Sequence, residues 1–356
     1  MWRVLGLKAL WPKADMNLRA VFAIPGDLAS LTGGYAYDRH VLARIGGLQH
    51  LPLPEGFPFP SRAALDESAA RLAAVDPDQV LLCDGLAFGA LPEPVLKSIR
   101  APIVALVHHP LALETGLAPD IAQDLGARER KALEFARAVI VTSPITRDLL
   151  VKDYAVNAAR ITIALPGTQR ANVARGSGAQ GPHLLAVGSV VPRKAYDVLL
   201  DALDLCRDLD WRLTIAGSLE RAPDYARALL ARGSDRIHFA GEVTSAALDA
   251  LYDRADLFVM SSHFEGYGMV LGEAMVRGLP IVSTDGGALA DTVPEQAALR
   301  VTAGDVPALA QALRRVIVDP ALRKTLADAS FAEGARLPIW DETAQIIAHV
   351  LKEVTP

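Results

Sequence analysis

The chain has 356 residues, half of them apolar and 22% charged, enough to bury a sizeable core; at this length two domains are expected. Its net charge of −5 and pI near 5.9 leave no basic footprint for nucleic acid. No stretch approaches the roughly 20 uninterrupted apolar residues of a membrane-spanning helix, and Cys83 and Cys206, with no CxxC or HExxH pattern around them, read as buried free thiols rather than as a zinc site or disulfide framework.

Residues 1–15, MWRVLGLKALWPKAD, set Arg3, Lys8 and Lys13 among Trp2, Leu5, Leu7, Leu10 and Trp11, which suits a short membrane-surface helix. Met16 stands directly before the first strand-like run, however, so 1–15 read as an upstream start or a disordered leader. Five apolar runs follow, RAVFAIPG, QVLLCDG, APIVALVHH, AVIVTSP and RITIALPG, each succeeded by a segment of helical character. They are apolar throughout rather than at alternate positions, as in parallel strands covered by helices on both faces. Residues 16–167 are therefore one doubly wound α/β domain.

The text TQRANVARGSGAQGP after Gly167 is poor in large apolar residues and marks a linker over 168–181. The alternation then restarts with HLLAVGS, WRLTIAGS, RIHFAGE, ADLFVMSS, LPIVSTD and ALRVTAG, giving a second Rossmann-like domain over 182–337. Residues 338–356 open with Pro338 and place Ile346, Ile347, Val350 and Leu351 at helical spacing, a closing helix able to pack back on the first domain. Two such domains facing each other form a cleft at the carboxyl ends of their strands, where ligands of these sheets bind.

Four loops carry residues with chemistry. In FEGYGMVLGEAMVRGLPIV, a strand ends before Glu265, Gly266 and Gly268 allow close backbone approach, and a helix begins whose free amides would face the cleft. Glu265 and Glu273 flank that anion site, an arrangement that makes sense for a ligand with vicinal hydroxyls as well as charge. Taken singly, Glu265 is equally a helix-entrance carboxylate and Glu273 a solvated helix residue. In VGSVVPRKAYDVLLDAL, Arg193 and Lys194 stand at a helix entrance, where cations are out of place unless they share an anion such as a diphosphate. In IPGDLASLTGGYAYDRHVL, Gly33 and Gly34 follow the first strand, without the third glycine of a dinucleotide fingerprint. In VALVHHPLALETG, His108 or His109 at a strand's end is placed to meet a substrate oxygen, and a metal role is disfavoured because no companion ligands follow at metal spacing.

The order TGG, HHP, VTSP, PGT, VG…PRK, IAG, FAGEV…LY…ADLFVMSS and EGYGMVLGEAM..GLPIV resembles the retaining glycosyltransferases of family four, with the GT-B fold, over nearly all of residues 17–345. The resemblance implies transfer of a sugar from a nucleoside diphosphate sugar, a UDP- or GDP-sugar, to a hydroxyl of a sugar, glycolipid or small-molecule acceptor in glycan assembly, with residues 16–167 binding the acceptor and 182–337 the nucleotide-sugar donor. It gives Glu273 the ribose, Glu265 the transferred sugar, and the backbone of Gly266, Tyr267, Gly268, Met269 and Val270 the sugar hydroxyls and phosphates. Arg193 and Lys194 would clamp the diphosphate, Gly33 and Gly34 would approach it from the first domain, and His108 would lie near the reacting carbon. No cofactor and no tightly held metal are expected. The chain departs from the pattern at Ser189, where many members carry an arginine, and at Ala195, where glycine is common after the lysine.

A cytoplasmic enzyme is expected, with peripheral contact to the inner membrane face through the cations Arg128, Arg130, Lys131 and Arg137; a solvated face interleaved with Glu129 and Glu134 accounts for the same residues. Alternative readings are a sugar-nucleotide epimerase or hydrolase using the same donor cleft, and a non-catalytic sugar-nucleotide-binding protein. A nicotinamide dehydrogenase lacks its glycine fingerprint in both halves.

Overall fold

The computed structural model describes residues 18–114 and 116–356, so the expected leader over 1–15 lies outside the described residues. The first half runs β1 (Ala20–Pro25), α1 (Gly33–Arg44), β2 (Leu48–Leu53), α2 (Arg62–Ala73), β3 (Val80–Asp84), α3 (Gly85–Phe88), α4 (Glu93–Ser98), β4 (Ile103–Val107), α5 (Pro119–Leu133), β5 (Ala138–Val141), α6 (Pro144–Tyr154) and β6 (Ile161–Ile163). The second runs β7 (His183–Val187), α7 (Tyr196–Asp204), β8 (Arg212–Ala216), α8 (Pro223–Leu230), β9 (Ile237–Gly241), α9 (Ser245–Arg254), β10 (Leu257–Met260), α10 (Met269–Met275), β11 (Ile281–Thr284), α11 (Leu289–Thr292), β12 (Ala298–Val301), α12 (Val306–Val318) and α13 (Pro320–Gly334). A final helix, α14 (Trp340–Val354), closes the chain.

Among the described residues the strands form two six-stranded sheets, ordered β2-β1-β3-β4-β5-β6 and β12-β11-β10-β7-β8-β9, and every strand pair is parallel. The continuous apolar runs are explained by cores on both faces of each sheet. In β1, Val21 and Ala23 enter one core with α2 and α5, while Phe22 and Ile24 enter another with Tyr37 and Val41 of α1. Trp340, Ile347 and Leu351 of α14 complete that second core. The chain's last helix therefore crosses back and covers the first sheet.

The strand β2 is absent from the sequence reading, and its text LQHLPL explains why. It is an edge strand with exposed Gln49 and His50 and with Pro52 near its end, so neither the apolar run nor the alternation signals it. Thr168 pairs with Ile339 in an isolated bridge, and Thr168 N–H donates to the Pro338 carbonyl at 2.7 Å, so the segment leaving the first half and the one re-entering it run side by side.

On α5 the interleaved glutamates are not equivalent. Glu129 is 1% exposed and accepts from the Leu111 N–H at 2.9 Å, contrary to the solvated face expected for it. Burial raises its carboxyl to about 8 against the hydrogen bonds from Leu111 and Tyr154. Arg128 pairs with Asp124, Lys131 with Glu134, and Arg130 reaches the Asp153 carbonyl. No helix of the described residues is long and apolar enough to cross a membrane.

Candidate functional site

The strand order reverses between β1 and β3 in the first sheet and between β7 and β10 in the second. Loops leaving the carboxyl ends of strands beside such a reversal diverge to opposite faces and open a crevice. The loop after β1 brings Gly33 and Gly34, β3 ends on Asp84, the loop after β7 brings Arg193 and Lys194, and the loop after β10 brings Glu265 to Gly268.

Residues Pro192–Lys194 form a single 3-10 turn, and Ala195 is left-handed at φ 50° before α7 begins. That left-handed residue is where the family pattern has glycine; the alanine methyl is accepted at a conformational cost of about 1 kcal/mol. The bend keeps the two cations out of the first turn of α7. Their backbone is pinned to the β10 loop: His263 N–H donates to the Arg193 carbonyl and Ser261 Oγ to the Lys194 carbonyl, each at 2.9 Å. Gly188 makes room for the lysine stem, since a Cβ there would lie 2.8 Å from Lys194 Cε.

Lys194 Nζ donates to Glu265 Oε1 at 2.7 Å, and Arg193 Nη1 lies 3.0 Å from Glu265 Oε2 and donates to the Phe264 carbonyl at 2.8 Å. The arginine Nε meets Glu114 Oε1 from the first half at 3.3 Å. The cations expected to await a ligand's charge thus already share Glu265. Glu265 is 7% exposed; burial would raise its pKa, but Lys194 and Arg193 outweigh it and hold the carboxylate at about 2. Lys194 shifts downward, through burial first and the neighbouring Arg193 as well.

Glu273 sits on α10, half-buried rather than solvated, and accepts from the Tyr252 hydroxyl at 2.8 Å. Burial pushes its carboxyl upward. Arg277 lies over the Tyr252 ring at 4.6 Å and donates to the Glu273 carbonyl at 2.9 Å, so the tyrosine is clamped between the arginine and α10. The helix itself has seven residues and is capped by Gly268 at φ 86°. Two turns give a weaker dipole than the sequence reading gave this end. Leu271, Ala274 and Met275 are its buried side, Val270 is half-buried, and the Tyr267 ring is buried with its carbonyl accepting from Thr292 Oγ1.

The first half meets this loop closely. A Cβ on Gly266 would stand 2.5 Å from the His108 carbonyl oxygen, so only glycine fits where the two halves touch. A Cβ on Gly33 would lie 3.8 Å from Met269 Sδ and one on Gly34 3.5 Å from His108 Cδ2, which brings the glycine pair, the histidine and α10 together. The two histidines divide as follows. His108 Nε2 lies 3.3 Å from Asp38 Oδ1 and 3.5 Å from Asp84 Oδ2, while His109 Nε2 lies 3.3 Å from Glu114 Oε2 and its ring faces Phe264 across the cleft.

Asp38, Asp84, Glu114 and Tyr252 were missed as site residues. Asp84 had a readable signal, a carboxylate at a strand's end before glycine; Asp38 and Tyr252 sit within amphipathic helices and had none. The objection that His108 lacked companion ligands nearby in sequence fails in three dimensions, because Asp38, Asp84 and His108 form the one grouping among the described residues whose spacing admits a metal ion. The histidine nitrogen faces both carboxylates, so the three side chains stand as an ion-paired triad.

Residues 181–319 match the family model described as glycosyl transferases group 1. The chain is 29% identical over 287 residues to a D-inositol 3-phosphate glycosyltransferase of Salinispora arenicola, covering 70% of this chain and 64% of that one. The chain spans 38% and 64% of the lengths of the first two curated relatives it matches. Among solved structures, a sucrose-phosphate synthase of Thermosynechococcus elongatus superposes with TM-score 0.78 at 21% identity, covering 94% of this chain and 99% of that one. Anabaena HepE in complex with UDP and glucose superposes with TM-score 0.75 at 17% identity, covering 94% and 100%. At these identities the structures show the fold, which is GT-B, and residues 181–319 of the second half are similar to the glycosyl transferases of group 1.

Proposed function

We propose that the chain moves a sugar from a nucleoside diphosphate sugar to an acceptor hydroxyl with retention at the anomeric carbon. The observation that carries this reading is the convergence of Arg193 and Lys194 on Glu265 at the reversal point of the second sheet, with Glu273 eight positions on and held by Tyr252. A donor diphosphate entering here competes with Glu265 for both cations. Once displaced, Glu265 is free to accept hydrogen bonds from the transferred sugar, while Glu273 takes the ribose hydroxyls and the Gly266–Val270 backbone meets the phosphates and sugar. Gly33 and Gly34 close on the diphosphate from the opposite half.

As the anomeric bond breaks, charge grows on the departing diphosphate, and Arg193 and Lys194 are the groups aimed at it. They supply two positive charges at the place where a divalent ion would otherwise act, so no resident metal is part of the proposal. The leaving phosphate takes the acceptor's proton on the same face, and no dedicated protein base is required. The donor is a UDP- or GDP-sugar, in keeping with the UDP and glucose bound by HepE, and the acceptor a sugar, glycolipid or small molecule of glycan assembly.

The test is a thermal-shift screen of the purified chain with UDP-, GDP- and ADP-sugars, repeated on Glu273→Ala. One nucleotide class should raise the melting temperature, and the variant should lose the rise, because a ligand stabilises only the state it binds. Product analysis with and without acceptor separates transfer from hydrolysis or epimerisation. No response to any sugar nucleotide would end the proposal.

A further inference from the structure

The first half brings to the cleft a charge cluster that the reaction as described leaves without a task. Asp38 of α1 is 0% exposed; Asp84 at the end of β3 caps α3 by accepting from the Leu86 N–H at 2.7 Å; His108 follows β4. Both carboxylates face one imidazole nitrogen, at 3.3 and 3.5 Å, and Asp38 Oδ2 has no hydrogen-bond partner. Neither carboxylate forms an ion pair with a lysine or arginine among the described residues, so His108 is the cation available to both.

The other polar groups around the cluster are committed elsewhere. The Tyr37 ring meets His108 edge-on at 5.2 Å and its hydroxyl donates to the Ala164 carbonyl; the Tyr35 hydroxyl donates to the Pro25 carbonyl. Arg221 and Asp27 are within electrostatic reach of Tyr35, His109 turns to Glu114, Cys83 lies buried beside Asp84, and the second half presents the Gly266 backbone.

Two buried carboxylates beside one imidazolium carry a net negative charge, which a low-dielectric site relieves by retaining a proton between the carboxyls. In line with that, burial and the neighbouring Asp84 raise the Asp38 carboxyl to about 7. Burial by itself would lower His108, but its hydrogen bonds and charge contacts with Asp38 and Asp84 prevail and raise it to about 10. A neutral histidine held through Nε2–H would leave Nδ1 an acceptor; an imidazolium makes it a donor.

We propose that Asp38 is a positioning residue: with Asp84 it grips Nε2 of His108 and keeps the ring an imidazolium, so that Nδ1–H, on the ring side away from both carboxylates, is a standing donor to a hydroxyl of the bound sugar. The ring lies against Gly34, whose added Cβ would stand 3.5 Å from His108 Cδ2, while the histidine's carbonyl meets the Gly266 loop that is to hold that sugar; its side chain keeps 21% of its surface open. The role assigned to the donor rests on the sugar-transfer reading above; the charge state of the ring does not.

The experiment uses the full chain labelled with ¹⁵N-histidine, His108 being assigned by the signal lost in His108→Gln. The wild-type ring should keep the imidazolium pattern from pH 6 to 9, whereas in Asp38→Asn it should titrate near the ordinary value of about 6.5. With a turned-over sugar nucleotide, kcat of Asp38→Asn relative to wild type should fall about tenfold or more between pH 6 and pH 9, with KM for the donor little changed. A neutral His108 in the wild type at pH 7 overturns the proposal, as does a defect of Asp38→Asn that is equal at every pH. So does a stoichiometric divalent metal in the purified chain that Asp38→Asn lacks. Should Asp38→Asn fail to fold, Asp84→Asn carries the same titration and the wild-type spectrum still decides. A cationic ring in a chain that transfers no sugar overturns the functional reading instead, while a neutral ring with normal transfer overturns only this proposal.

Discussion

Replacing Glu265 by glutamine keeps the side chain's shape and removes the charge that Arg193 and Lys194 share. The carboxylate is held at about 2 rather than 4.5, which corresponds to about 3 kcal/mol of preference for its ionised form in the folded chain. Lys194 points the other way, since burial and Arg193 lower its pKa. The partners disagree because burial penalises the Lys194 charge and Arg193 repels it, whereas Glu265 gains from both cations. For deletion of the carboxylate alone, contacts at 2.7 and 3.0 Å on a residue 7% exposed are the better guide. The variant should lose about 3 kcal/mol at pH 7, at the low end of the range for a broken buried pair. Because the folded pKa is depressed, this contribution is complete above the unfolded value near 4.5 and is lost as pH falls toward 2. Urea unfolding followed by fluorescence, with Trp211 in the second-half core as reporter, should therefore give curves that separate at pH 7 and converge below pH 4. Inorganic pyrophosphate should stabilise Glu265→Gln more than wild type, since the cations no longer have a competing carboxylate. A difference under about 0.5 kcal/mol at pH 7, or one that does not narrow on acidification, would refute the reasoning.

Tyr252→Phe removes the hydroxyl that donates to Glu273 at 2.8 Å while leaving the ring beneath Arg277; calorimetric titration should show donor affinity weakened about five- to tenfold, roughly 1–1.4 kcal/mol, and an unchanged Kd would mean that Glu273 does not depend on this partner. Gly266→Ala sets a methyl 2.5 Å from the His108 carbonyl and 3.2 Å from His109 Cβ; the halves must separate to admit it, so kcat/KM should drop at least about tenfold with circular dichroism intact, and a fully active variant would show that this contact does not set the working geometry.

The repeated strand–helix alternation was legible because a strand between two helical layers must be apolar on both faces, and eleven of the runs read that way are strands in the structure. The edge strand β2 escaped because Gln49, His50 and Pro52 serve a position with solvent on one side. Arg193 and Lys194 were legible as site candidates for a comparable reason, being cations at a helix entrance where local rules disfavour them, and Glu265 and Glu273 as a pair flanking one glycine-rich helix entrance. What compensates them was not legible. Glu265 is distant in sequence from the two cations it neutralises, and Glu114 and Tyr252 supply hydrogen bonds from other elements.

By itself, then, the sequence determined the class of fold, the presence of two sheets and the loops in which chemistry had to lie, because periodicity and local preference act over a few residues at a time. Only the tertiary structure decided that α14 covers the first sheet, that Glu265 answers both cations and that Asp38, Asp84 and His108 meet. Those outcomes depend on which strand ends become neighbours, and in a parallel sheet that is fixed by crossover connections far longer than any sequence window.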